Sequence, residues 1–151
     1  MKPDHPKTAL ILSNRLIASH QIASILDQHG WHSGIMREPP DEEIFIRLRP
    51  RIVVADIDDS DCCGIHFLQL LRHFSSLAYA IALCAGGNTP EMRAARDLGV
   101  DGFFYLNAAG LALDPKRGLA PIFLRTHQGL QLGTTSHQLQ PPGVQQILSA
   151  Q

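Results

Sequence analysis

The chain predicts an α/β fold of three layers, with helices on both faces of a five-stranded parallel sheet. Three observations lead there. Short apolar runs recur at residues 10–12, 52–55, 78–84 and 102–106, and residues 31–36 read as a further strand. Between them lie stretches of helical period, bounded by capping residues and glycines. The central run, Ile52-Val53-Val54-Ala55, shows no polar alternation, as expected of a strand covered on both faces. Strands alternating with helices imply βαβ units with right-handed crossovers.

Each unit has its own signals. Leu10-Ile11-Leu12 is followed by Ser13 and Asn14, both good helix caps. Ile22, Ile25 and Leu26 share a helical face, and Gly30 stops that helix. Trp31 to Met36 forms the second strand, and Asp41 caps a short acidic-start helix carrying Ile44 and Leu48, which ends before Pro50. The third strand ends at Asp56, and its helix runs from about Gly64 to Phe74. After the fourth strand, Thr89-Pro90 pairs a cap with proline at the first helical position, and the helix closes at Leu98-Gly99. Residues 107–118 read as loop or irregular turn. Leu119, Ile122 and Phe123 suggest a fifth helix up to Gly129, with Pro121 in its first turn or kinking it. The predicted domain covers residues 1–129. Residues 130–151 read as a linker or C-terminal extension, in which Val144, Ile147 and Leu148 have the spacing of a short helix.

Composition narrows the function classes. A length of 151 residues with 44% hydrophobic content suits one globular domain with an appendage. A formal net charge of -1 gives no global field for nucleic acid or an anionic membrane. No apolar run approaches the roughly 18–20 residues needed to span a bilayer, and residues 1–7 lack a signal peptide's apolar region. Three cysteines, Cys62, Cys63 and Cys84, form no closed disulfide framework. A cytoplasmic protein with no membrane partner is expected.

Open parallel sheets place functional side chains at the carboxyl ends of their strands. Asp56 stands there, at the head of an acidic cluster with Asp58, Asp59 and Asp61. Other constellations carry less. Cys62-Cys63 with His66 and His73 lacks the spacing of a zinc site, so no metal is expected there. Gly86-Gly87 precedes a helix start, a place where anions bind, but no phosphate-binding glycine fingerprint occurs. Among Phe103, Phe104 and Tyr105 at least one side chain must face outward on a two-fold pleat. With Arg93 and Arg96 on the preceding helix, Phe104 and Tyr105 are the candidates for a dimer surface.

Residues 50–72, with Asp56, Gly64 and the apolar run after it, resemble the third strand, acceptor loop and third helix of a response-regulator receiver domain. Residues 95–103 resemble that family's segment before its last strand. The resemblance spans roughly residues 7–129 and implies a CheY-like, flavodoxin-like fold. It also implies that Asp56 is the phosphoacceptor-equivalent position. In that family an acidic pair after the first strand holds Mg²⁺, yet Ser13 and Asn14 stand here. A Thr or Ser after the fourth strand bonds the phosphoryl group, and here the residue is Cys84. A Lys ends the fifth strand, and here the residue is Leu106, with no lysine nearer than Lys116. Ser13, Asn14, Asp58, Cys84 and Leu106 thus outline a degenerate pocket, with Asp58, Asp59 and Asp61 as the available replacement carboxylates.

Residues 8–26, 99–110 and 123–150 are similar in outline to the atypical receivers of LuxR-type transcription regulators of the CsgD and VpsT kind. The cyclic di-GMP motif found in some of them, a Trp followed by Thr or Ser and Arg, is absent, since Trp31 is the only tryptophan. What the resemblance implies is a pseudo-receiver: a regulatory and dimerisation module of two-component-type signal transduction, without catalytic residues or a cofactor. DNA would be reached only through an output domain that this chain does not contain. Two alternatives stay open. Asp56 could take a phosphoryl group from a histidine kinase, in which case Mg²⁺ is required, or a small molecule could bind at the carboxyl ends of the strands.

Overall fold

Residues 7–74 and 77–123 are described by the computed structural model. The elements in chain order are β1 Thr8–Leu12, α1 Leu16–Gln28, β2 His32–Met36, α2 Glu42–Leu48, β3 Ile52–Asp56, α3 Gly64–Phe74, β4 Tyr79–Cys84, α4 Pro90–Asp97 and β5 Gly102–Tyr105. The strands form one parallel sheet in the order β2-β1-β3-β4-β5. This is the CheY-like, flavodoxin-like arrangement expected. The chain divides into two units, Met1–Gly118 and Leu119–Gln151. The expected domain boundary at residue 129 and the short helix at 144–148 lie outside the described residues.

The topology follows from handedness. β1 leads outward to β2, whereas β2, β3 and β4 each lead the other way, so right-handed crossovers put α1 on one face and α2, α3 and α4 on the other. The core agrees. Leu10, Leu12, Val53, Ala55, Ala80, Ala82 and Cys84 pack with Phe45 of α2, Phe67, Leu68 and Leu71 of α3, and Met92 and Ala95 of α4. The alternate residues Ile11, Val54, Leu83 and Phe104 are buried on the opposite pleat. β3, with neighbours on both sides and helices on both faces, is buried along its whole length.

Several local expectations hold. Thr89 Oγ1 accepts the Met92 N–H at 3.1 Å, with Pro90 in the first turn. Others change. Ser13 and Asn14 do not cap α1: the capping position is Arg15, with no side-chain cap, because both polar side chains turn toward β3. In α2 only Phe45 is buried, while Ile44 and Leu48 stay exposed. Two turns of helix over a sheet edge can turn one large residue inward. Residues 107–114 form a loop, as expected, and residues 115–118 depart from that expectation. Leu106 and Ala112 form an antiparallel bridge, and helical structure begins at residue 115 and runs to 123 among the described residues. Pro115 opens that helix, where its missing N–H costs nothing. The Gln21 side chain of α1 fastens the loop, donating to Ala112 O at 3.0 Å and accepting from Ala112 N at 2.9 Å.

Candidate functional site

β1 and β3 are adjacent, with Leu12 paired to Ala55, so the residues one step further, Ser13 and Asp56, emerge side by side at the carboxyl end of the sheet. Both are fully buried. A carboxylate in that position needs partners for each oxygen, and the chain supplies them all. Asp56 Oδ1 accepts the N–H groups of Asp58 at 3.0 Å and Asp59 at 3.2 Å, closing the turn that follows β3. Asp56 Oδ2 accepts Arg15 Nε at 2.8 Å and Ser13 Oγ at 3.4 Å.

Arg15 is the residue that sequence reasoning missed. Ser13 Oγ accepts its N–H at 2.9 Å, which turns the chain into α1 and lets the guanidinium fold back over Asp56. The pair is asymmetric: the Arg15 side chain is 36% exposed and the Asp56 side chain 0%. The signal was available as charge arithmetic. A carboxylate ending a fully buried strand needs a cation nearby, and Arg15 is the only cation in the loop between β1 and α1.

Around this pair the remaining candidates interlock. Asn14 Nδ2 donates to Asp59 Oδ2 at 3.1 Å and lies 3.5 Å from Cys62 Sγ. The Asn14 amide, then the Asp61 N–H, hold the Asp59 carboxyl below the usual carboxylate range. Protonating Asp59 therefore opposes folding, and its contribution, present above about pH 4, is lost as acid titrates the folded protein. Burial, followed by the charges of Asp59 and Asp56, pushes the Cys62 thiol up to about 11. Cys84 is also pushed up, first by burial. Asp58 Oδ2 reaches across to β4's end and accepts the Ala85 N–H at 2.6 Å. Gly64 is required by close approach: a Cβ there would meet the Asp56 carbonyl oxygen and lie 2.8 Å from its carbon.

The residues do not fit a Mg²⁺ site. A hard cation needs free oxygen ligands. Here one Asp56 oxygen is held by a guanidinium and the other by two amides, while the neighbouring positions offer a hydroxyl and an amide. Among the described residues, no three His, Cys, Asp or Glu groups are placed to share a metal ion. Leu106 is buried, bridged to Ala112, and donates its N–H to Cys84 O at 2.8 Å.

The expected dimer surface needs one correction. Phe104 is only 2% exposed and belongs to the core, because its pleat position faces the layer on which α1 packs. Its neighbours face the other way, with Phe103 and Tyr105 stacked at 6.0 Å between ring centroids. Arg96 lies over the Phe103 ring at 5.7 Å. Arg93 donates back to Asn88 O at 3.1 Å.

No protein-family model and no curated protein matches the chain. Solved structures do. The receiver domain of a response regulator from Methanospirillum hungatei aligns with a TM-score of 0.62 at 13% identity, covering 88% of this chain and 100% of that one. The receiver domain of AraT, a response regulator from Geobacillus stearothermophilus, aligns with a TM-score of 0.64 at 16% identity, covering 87% and 100%. The beryllofluoride-activated NtrC4 receiver domain dimer aligns with a TM-score of 0.61 at 19% identity, covering 82% and 94%. The chain therefore has the fold of CheY-like response-regulator receiver domains. Among the described residues, no helix is long and apolar enough to cross a membrane.

Proposed function

We propose that this chain is a degenerate receiver, a regulatory and dimerisation module of two-component-type signal transduction that works without phosphorylation of Asp56. One observation carries the reading: the Arg15 guanidinium sits on the Asp56 carboxylate at 2.8 Å. A phosphoryl group arriving at Asp56 would have to displace that cation from a buried oxygen, and among the described residues no three His, Cys, Asp or Glu groups are placed to share a metal ion that would offset the new charge. The module neither binds Mg²⁺ nor catalyses a reaction, and its natural setting is a cytoplasmic LuxR-type transcription regulator whose output domain contacts DNA. Its subunits pair through the face formed by α4 and β5, where Arg96, Phe103 and Tyr105 combine exposed aromatic surface with charge. The structural neighbour NtrC4 is itself described as a receiver domain dimer.

The test is an amide-correlation NMR titration with Mg²⁺ and then beryllofluoride. The expected result is a flat response at millimolar Mg²⁺ and no beryllofluoride adduct. Shifts spreading from Asp56 through Cys84 to β5 would overturn the reading in favour of a phosphorylatable receiver fed by a histidine kinase. One observation favours small-molecule sensing as a second reading. A depression of about 490 Å³ opens between the first turns of α3 and α4, with Ile57, Ile65, Pro90 and Ala94 among its apolar walls and Asp58 and Glu91 on its lining.

A further inference from the structure

Asp58 links the two loops that flank the candidate site. Its carboxylate accepts the Ala85 N–H at 2.6 Å, across 27 positions of sequence. The loop that donates this N–H carries two glycines. Gly86 and Gly87 follow Ala85 with φ values of 99° and 88°, a region that glycine enters freely and other residues rarely adopt. The charged bond to Asp58 tethers the start of this loop.

The acceptor side is fixed by its own turn. Asp58 is exposed, so its side chain is free to point into water, yet the turn below directs it toward Ala85. That turn is set by Asp56 Oδ1, which holds the Asp58 and Asp59 amides, and Asp56 is set in turn by Arg15. The chain of contacts runs from Arg15 to Asp56, through the turn to Asp58, and from Asp58 to Ala85.

We propose that Asp58 is a tethered anion that latches the loop between β4 and α4, so that an external oxyanion reaches the Ala85 amide only by displacing it. Arg15 is a positioning residue for this latch. The proposal rests on the degenerate-receiver reading and names how the same site is regulated: the chain supplies its own charges on both sides of Asp56.

The test is backbone amide hydrogen exchange on the full chain, with inorganic phosphate as the external oxyanion. In the unaltered protein the Ala85 amide is protected, and phosphate leaves its chemical shift in place. Asp58→Ala speeds Ala85 exchange about tenfold or more while the amides of Val53 and Val54 in β3 keep theirs, the pattern of local opening. Asp58→Asn, whose amide oxygen still accepts, retains intermediate protection. Unchanged Ala85 exchange in both variants, or a phosphate shift at Ala85 in the unaltered protein, overturns the latch. A response of the unaltered protein to Mg²⁺ and beryllofluoride would instead sink the degenerate-receiver reading, and that measurement is independent of the variants.

Discussion

The pocket around Asp56 and the outer face of α4 and β5 are built in opposite ways. In the pocket each polar group is answered by the chain itself: Asp56 takes four hydrogen bonds, Asn14 is spent on Asp59, and Asp58 is spent on Ala85. The outer face leaves side chains unspent. Tyr105 is 38% exposed, and the exposed Arg96 rests on Phe103. A pocket whose charges are internally balanced has little left with which to bind an ion. A face with stacked aromatics and free area has its binding energy in reserve. The contrast supports the proposal that subunits pair through the outer face.

The sharpest way to break the pocket is steric. Gly64→Ala drives a methyl group into the Asp56 backbone, which is fixed in the sheet and cannot yield. A loss of about 3 kcal/mol is expected from such overpacking, read as a lower denaturation midpoint in urea with an unchanged slope.

Next comes the ion pair. Arg15→Ala strands a buried carboxylate, and because Arg15 is itself partly exposed the cost is discounted to about 2 kcal/mol. Adding Asp56→Asn should recover part of it. A double-mutant cycle that gives a coupling of about 1–2 kcal/mol supports the pairing, and a coupling near zero removes it. The companion variant Asn14→Asp with Arg15→Ala returns a carboxylate and frees an Asp56 oxygen, and it should gain Mg²⁺ binding in the millimolar range, visible by calorimetry.

The smallest effect on stability is expected on the outer face. Arg96→Ala and Tyr105→Ser should each change stability by no more than about 0.5 kcal/mol, yet weaken self-association about tenfold in sedimentation equilibrium. Unaltered association would move the interface elsewhere.

The unequal legibility of these regions has a physical origin. Asp56 could be found because a strand buried on both faces is apolar throughout, so a terminal carboxylate stands out. The Thr89-Pro90 start of α4 was equally clear, since cap and proline act within one turn of helix. Arg15 was passed over because its partner lies 41 positions away, and nothing local distinguishes a pairing arginine from a solvated one. Ser13 and Asn14 were read as caps for the same reason: their chemistry suits a cap, and only the neighbouring strand offers them a better partner. Phe104 was misplaced because two adjacent aromatics occupy opposite pleats, and the phase of a four-residue strand is set by what lies above and below it.

The sequence by itself determined the alternation of strands and helices, the parallel sheet and the position of Asp56 at its carboxyl edge, because these follow from hydrophobic period, caps and handedness acting over short distances. Only the tertiary structure decided which charge answers Asp56, which loop Asp58 holds and which aromatic faces outward. Those are questions of which distant side chains the sheet order brings within 3 Å of one another, and strand order is a property of the packed chain rather than of any segment within it.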